Sequence, residues 1–133
     1  MKKILLIGCG HMGSTLLNAW YKKTSFKFSV VDPKTYKILK KKYAKKISIY
    51  KSIEKINNFD QFNIIIFAVK PQIAKQIISQ FSFIDNKKIL FLSIIAGKKI
   101  NFIENNLLKP HQIIRIMPNM PAFVEEGMTC LIS

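Results

Sequence analysis

A glycine pattern near the amino terminus is the first part of the sequence whose residue types and spacing suggest chemistry. Gly8, Gly10 and Gly13 follow a short apolar run and open a segment with helical periodicity. Gly8 permits a tight turn, Gly10 lets the backbone approach a pyrophosphate, and Gly13 lets a helix pack closely on the preceding strand. The amides at the start of that helix would face the phosphates, so the pattern predicts a dinucleotide-binding loop.

An acidic residue stands where such a loop would place the adenosine ribose. Asp32 ends the second predicted strand, about 20 residues beyond the glycines, and an acid there typically binds the ribose hydroxyls and repels a 2′-phosphate. Lys34 and Lys37 follow it and would offset part of that repulsion. The expected cofactor is therefore NADPH or NADH, with NADH bound at least as well unless a lysine compensates.

Three further segments carry small or rigid residues at the ends of predicted strands. They are Ala68-Val69-Lys70-Pro71, the run from Ser93 to Gly97, and Met117-Pro118-Asn119-Met120-Pro121. Ligands of open parallel sheets bind at the carboxyl ends of the strands, so the first of these segments, which ends the fourth strand, would lie at the edge of the binding crevice. The prolines on either side of Asn119 restrict the backbone and thereby fix the direction of its amide.

Strand and helix patterns alternate along the chain. Continuous apolar runs, typical of buried parallel strands, predict strands at residues 3–7, 28–32, 47–49, 63–69, 88–93, 113–117 and 128–132. Helical spacing predicts helices around residues 12–21, 36–43 and 100–107. This alternation predicts an α/β fold with a Rossmann-type doubly wound, mainly parallel sheet.

Two local predictions concern the starts of further helices. Ser52 has the residue type of an N-cap for a brief helix that runs to Ile56. The proline at position 71 suits the first turn of another helix, on which Ile73, Ile77 and Phe81 would share one face.

The composition narrows the classes of partner. The net charge is +15, yet Arg115 is the single arginine among 22 lysines and arginines, whereas recognition of bases and phosphates favours arginine. We therefore expect no nucleic-acid partner.

No apolar run approaches the ~20 residues of a membrane span, and the run Ile4–Ile7 is too short for a signal peptide. We therefore expect a cytoplasmic protein without a membrane partner. Cys9 and Cys130 give neither a disulfide framework nor a metal site.

Taken in order, these motifs resemble the nucleotide-binding half of the pyrroline-5-carboxylate reductase family. That family reduces a cyclic imine to proline with a nicotinamide cofactor. The resemblance implies a catalytic role for Asn119, whose loop lies beside the nicotinamide and the substrate in the family. It also implies cofactor contacts from the strand ends and turns, namely Ile7, Gly8, Cys9, Gly10, His11, Met12, Gly13, Asp32, Ala68, Val69, Lys70 and Ala96.

The resemblance covers residues 1–133 as a single NAD(P)-binding Rossmann domain and stops where the family's helical dimerisation domain would begin. One interpretation is a reductase of proline biosynthesis that acts on 1-pyrroline-5-carboxylate when a second domain is supplied. The other is a non-catalytic dinucleotide-binding remnant, or one half of a split reductase. The Met-Pro-Asn loop disfavours a different imine or ketone reductase. Apolar surface left without the second domain would favour self-association.

Overall fold

A computed structural model of the chain describes residues 2–23, 25–43 and 46–116, apart from the side chains of His11 and Lys23. The strands in this part are β1 Lys3–Ile7, β2 Lys27–Val31, β3 Ser48–Tyr50, β4 Ile64–Phe67, β5 Leu90–Ser93 and β6 Gln112–Arg115. The helices are α1 His11–Lys23, α2 Tyr36–Tyr43, α3 Ala74–Ser79 and α4 Ile100–Leu107. Short 3-10 turns lie at Ile53–Lys55, Phe59–Gln61 and Pro71–Ile73.

The six strands form one parallel sheet in the order β3-β2-β1-β4-β5-β6, which confirms the predicted Rossmann-type architecture. The strand order reverses at β1. This strand pairs with β2 on one side and with β4 on the other, so that Ile7 lies opposite both Val31 and Phe67. The chain leaves β1 and β4 in opposite directions, and the carboxyl ends of these two strands therefore flank a crevice.

Apolar layers cover both faces of the sheet. On one face the rings of Trp20 in α1 and Phe28 in β2 stack with their centroids 6.3 Å apart. On the other face the ring of Phe67 contacts Phe81 at 5.4 Å and Phe91 at 5.7 Å between centroids. All four residues of β4 are buried, which explains why this strand is a continuous apolar run rather than an alternating one.

Only part of the face predicted for the helix after β4 packs against the core. A 3-10 turn at Pro71–Ile73 precedes α3, whose buried residues are Ala74 and Ile78, whereas Ile73 is 44% exposed. A 3-10 turn advances about 120° per residue, against about 100° in an α-helix. The two segments therefore fall out of phase. Ile77 is half-buried against the core and Phe81 is fully buried, so the prediction that the three residues share one face was wrong only for Ile73.

The brief helical stretch predicted from Ser52 to Ile56 is present as a 3-10 turn, Ile53–Lys55, with Ser52 at its N-cap position, but the side chain does not cap it. The amide of Lys55, which a cap would bind, instead donates to the backbone carbonyl of Ser52 at 3.3 Å. In the next 3-10 turn the Asn58 side chain does act as a cap, because its Oδ1 accepts from the amide of Asp60 at 3.0 Å.

Two further sequence predictions concern a seventh strand and membrane-spanning helices. The seventh strand, predicted at residues 128–132, lies outside the described residues. Within them, the helices lack the length and apolar character needed to cross a bilayer.

Candidate functional site

The glycine loop lies between the ends of β2 and β4. Gly8 is buried with φ +91°, and its amide donates to the carbonyl of Val31 at 2.8 Å. A β-carbon at Gly8 would lie 2.9 Å from both the Ala68 carbonyl oxygen and Val69 Cγ1. The left-handed backbone and the close approach of β4 each require glycine at this position.

The two other glycines of the loop differ in their surroundings. A β-carbon at Gly13 would lie 2.7 Å from the carbonyl oxygen of Gly8, so α1 packs on the end of β1 with no room for a side chain. Gly10 is exposed, and a β-carbon there would meet nothing within 4 Å. Among these three glycines, Gly10 is therefore the one at which a ligand, rather than the protein, would exclude a side chain.

The start of α1 offers backbone donors to that space. The first α-helical hydrogen bond runs from the amide of Ser14 to the carbonyl of Gly10 at 2.9 Å. The amides of His11, Met12 and Gly13 lie in the first turn, where the helix itself has no carbonyl four residues earlier to accept from them. The first turn holds no acidic residue, so no carboxylate of that turn competes with an incoming anion.

The end of β4 forms the other wall of the crevice. The amide of Ala68 donates to the carbonyl of Ile7 at 2.8 Å, which holds this segment against the end of β1. Ala68 and Val69 are half-buried, whereas Lys70 is exposed and extended just before Pro71. This segment therefore presents two small apolar side chains and one cation at the carboxyl edge.

The ends of β5 and β6 contribute a buried hydroxyl and an exposed small residue. Ser93 is fully buried, and its Oγ accepts from the amide of Ile95 at 3.2 Å while its carbonyl accepts from the amide of Ile116 at 2.8 Å. Its hydroxyl therefore shapes the turn rather than facing a ligand. Ala96 and Gly97, just beyond, are exposed.

Cys9 lies within the glycine loop but has no free thiolate to offer. Its side chain is buried, and burial raises the pKa of the thiol to about 12, helped by the negative charge of Asp32 and opposed by Lys42. The neutral thiol packs with the apolar layer that contains Trp20. The contribution of Cys9 to a ligand would come from its backbone.

Asp32 makes contacts that the sequence analysis did not anticipate. Its Oδ2 accepts from the amide of Cys9 at 2.6 Å, and its Oδ1 accepts from the amides of Lys34 at 2.9 Å and Thr35 at 3.3 Å. The contacts to Lys34 and Thr35 are those of an Asx-type turn, which an Asp-Pro start favours, so the sequence held a signal for them. The contact to Cys9 spans the two loops and had none.

A cluster of cations around Tyr36 was also missed. The ammonium groups of Lys40 and Lys51 lie 5.3 and 5.2 Å from the centroid of the Tyr36 ring. Lys51 follows β3, whereas Tyr36 and Lys40 belong to α2, so the cluster arises only when the strands come together. It lies near the end of β2, because the amide of Asp32, just beyond that strand, donates to the carbonyl of Tyr50 at 3.1 Å.

The fold brings most of the predicted site residues to one edge. Ile7, the Gly8–Gly13 loop, Asp32, the segment Ala68–Lys70 and Ala96 lie at or just beyond the carboxyl ends of β1, β2, β4 and β5. Their contacts with a cofactor stay predictions. Asn119 and the side chain of His11 lie outside what the structure describes.

The described residues also form a groove at the other edge of the sheet. A groove of about 510 Å³ lies at the opposite, amino-terminal edge and is lined by residues 57–60 and 83–86. Within the described part of the chain, no three His, Cys, Asp or Glu side chains are grouped to hold a metal ion.

Similarity to known proteins agrees with the geometry. Residues 3–97 match the family described as NADP oxidoreductase, coenzyme F420-dependent. The chain is 33% identical over 131 residues to pyrroline-5-carboxylate reductase of Escherichia coli (strain K12), covering 96% of this chain and 48% of that protein. It is 30% identical over 132 residues to pyrroline-5-carboxylate reductase of Methanosarcina acetivorans, covering 95% of this chain and 47% of that protein.

A solved structure shares the fold. The structure of a pyrroline-5-carboxylate reductase from Coxiella burnetii has a TM-score of 0.73 at 23% identity, and the match covers 91% of this chain and 45% of that chain. The chain spans about half the length of the curated relatives it matches. It belongs to the family of NADP oxidoreductases described as coenzyme F420-dependent, and the two curated relatives compared above are pyrroline-5-carboxylate reductases.

Proposed function

We propose that the chain binds a nicotinamide dinucleotide, NADPH or NADH, and forms the nucleotide-binding half of a pyrroline-5-carboxylate reductase. The observation that carries the proposal is the contrast among the three glycines of the loop. Contacts within the protein account for Gly8 and Gly13, whereas Gly10 faces open space. A turn that served folding alone would give no reason for glycine at position 10, but a pyrophosphate lying against the backbone does.

The residues present fit such a cofactor. The first-turn amides of α1 would hold the phosphates, aided by the helix dipole. The half-buried side chains of Ala68 and Val69 would lie along the cofactor, and the small exposed Ala96 would leave room for the nicotinamide. When bound, the nicotinamide supplies the hydride. Lys70, exposed at the same edge, adds a positive charge that favours an anionic ligand.

The reaction proposed for the complete enzyme is hydride transfer to the C=N carbon of 1-pyrroline-5-carboxylate, which gives L-proline. This chain's part is to hold the cofactor in one orientation and to shield it from water on the protein side. The resemblance to the reductase family suggests the catalytic position for Asn119, and the flanking prolines would fix the direction of its amide. The imine nitrogen can arrive already protonated, so the proposal requires no general acid from this chain.

A second candidate is a dinucleotide-binding module that does not catalyse by itself, or one half of a split reductase. The match to the Escherichia coli relative covers 48% of that protein's length. Correct positioning of a substrate against a reacting group can lower a barrier by about 7–11 kcal/mol. The 133-residue polypeptide would therefore show negligible turnover if the other half of the relative completes the substrate site.

The test is a steady-state assay of the purified 133-residue polypeptide with 1-pyrroline-5-carboxylate and NADH or NADPH. The assay is repeated with the remaining half of the Escherichia coli relative added as a separate polypeptide. Turnover only after this addition supports a split enzyme, and binding without turnover in both arms supports a non-catalytic module. Robust turnover by the polypeptide alone contradicts the second candidate, whereas failure to bind either dinucleotide contradicts the proposal as a whole. Size-exclusion chromatography of the same sample tests the proposed self-association.

A further inference from the structure

Asp32 holds a buried carboxylate between two loops of the site. Its side chain is 8% exposed, and the carboxylate accepts three backbone hydrogen bonds. One donor, Cys9, belongs to the glycine loop after β1, while the other two, Lys34 and Thr35, lie in the loop between β2 and α2. A carboxylate offers about four acceptor positions, so backbone amides already fill most of its capacity.

The contact with Cys9 sets the orientation of a peptide group inside the glycine loop. The amide of Cys9 and the carbonyl of Gly8 belong to the same peptide unit, and in a trans peptide they point in opposite directions. Because Asp32 draws the Cys9 amide toward itself at 2.6 Å, the Gly8 carbonyl must point the other way. That carbonyl oxygen is the atom nearest to a β-carbon built on Gly13, at 2.7 Å. Asp32 therefore sets the peptide plane against which the start of α1 packs.

We propose that Asp32 is a positioning residue that clips the phosphate-binding loop to the start of α2, and that this role, rather than contact with the ribose, is its main contribution to cofactor binding. The proposal rests on the proposed dinucleotide site. A short hydrogen bond from an amide to a charged oxygen is stronger than one between neutral groups, and burial strengthens it further. Loss of the clip should disturb the loop that both cofactors share, and so weaken NADH and NADPH together.

Asp32→Asn separates the clip from a role in ribose recognition. An asparagine keeps one acceptor oxygen and replaces the other with an NH2 group. In either orientation of the amide, this group faces backbone donors, at Cys9 or at Lys34 and Thr35. The matched control is Asp60→Asn, which makes the same chemical change at an exposed position near the amino end of β4.

Dissociation constants of both variants and the wild type are measured by calorimetric titration with NADH and with NADPH. We expect Asp32→Asn to raise both constants about tenfold and to change their ratio by less than about threefold, while Asp60→Asn changes neither. A variant that loses NADH affinity but keeps or gains NADPH affinity would overturn the proposal, because that pattern belongs to a residue that reads the ribose.

Amide hydrogen exchange provides a second test, which begins with the wild-type chain. The Cys9 amide should exchange slowly in the free protein and remain protected after NADH is added. Loss of its protection in the NADH complex overturns the clip. If the wild type binds neither dinucleotide, the proposed function fails. The clip is still supported if the Cys9 amide exchanges slowly in the free wild-type protein and this protection is lost in Asp32→Asn but kept in Asp60→Asn. Fast exchange at Cys9 in the free wild type contradicts it.

Discussion

The carbonyl oxygen of Gly8 lies directly against Gly13, where a β-carbon would come within 2.7 Å of it. This oxygen belongs to the backbone and cannot rotate away as a side chain would. The end of β1 and the first turn of α1 therefore meet without space for a methyl group. Gly10, in the same loop, has no such neighbour. The fold thus requires glycine at positions 8 and 13, whereas at position 10 a ligand would require it.

Gly10→Val and Gly13→Val should therefore fail in different ways. We expect Gly10→Val to lower the free energy of unfolding by at most about 1 kcal/mol and to abolish dinucleotide binding by obstructing the pyrophosphate. Gly13→Val should lower the free energy of unfolding by about 2–3 kcal/mol through overpacking. Thermal unfolding followed by circular dichroism, and titration with NADH, measure the two effects. Equal NADH binding by the wild type and Gly10→Val would refute the proposed site.

Lys34 should influence the choice between the two cofactors. Its backbone is held by Asp32 at the start of α2, and its exposed side chain follows the strand end where the ribose would lie. Removing one exposed cation near a phosphate costs up to about 1 kcal/mol, so Lys34→Ala should raise the NADPH dissociation constant by about three- to fivefold and leave that of NADH nearly unchanged. The control is Lys75→Ala, an exposed lysine on α3. Equal effects on both cofactors would show that Lys34 does not sense the 2′-phosphate. An effect on NADPH binding that is as large at high salt as at low salt would show the same, because salt screens an exposed charge pair.

Cys9 should be protected from thiol reagents while the chain is folded. Burial raises the pKa of its thiol from 9.0 to about 12, so the neutral form dominates in the folded state. In a Cys130→Ser background, which leaves Cys9 as the one cysteine, reaction with a disulfide reagent at about pH 8 should be slow and should accelerate in denaturant. Rapid reaction in the folded chain would contradict the buried neutral thiol.

The same shift predicts a dependence of stability on alkaline pH. The thiol ionises more readily in the unfolded chain, so its contribution to stability is fully present below the ordinary pKa and is lost as the pH rises from 9.0 towards about 12. Free energies of unfolding at about pH 8 and about pH 10 are compared for the Cys130→Ser chain with and without Cys9→Ala. We expect the chain that keeps Cys9 to lose more stability between the two pH values. Parallel pH profiles would count against the shift.

Phe81 and Phe83 provide a matched pair for the core. Both rings contact Phe59 edge to face, at 5.7 and 5.3 Å between centroids, but Phe81 is fully buried and Phe83 is 53% exposed. Phe81→Ala should lower the free energy of unfolding by about 3–5 kcal/mol because it leaves a cavity. Phe83→Ala should cost less than about 1 kcal/mol, mainly through the lost ring contact. Urea denaturation measures both, and equal losses would contradict the assignment of Phe81 to the core.

The order and type of the elements were predictable because their signals are local. Strands β1 and β4 are continuous apolar runs, and α4 spans Ile100–Leu107 as its periodicity predicted. An apolar run buried on both sides and a 3.6-residue repeat are properties of neighbouring residues, so they can be read before the fold is known. The pattern from Gly8 to Gly13 belongs to the same class, since a tight turn between a strand and a helix is itself local.

Only the tertiary structure decided which groups meet across the sheet. The sequence marks Asp32 as the acid at the end of β2, but its bond to the Cys9 amide joins residues 23 positions apart and depends on the pairing of β1 with β2. The approach of Lys51 to the ring of Tyr36 likewise requires β3 to lie beside β2. Hydrogen bonds and ring contacts act over a few ångströms, and sequence spacing does not report distances of that size between separate elements. The residue types at this edge were therefore set by the sequence alone, whereas their partners follow from the packing of parallel strands.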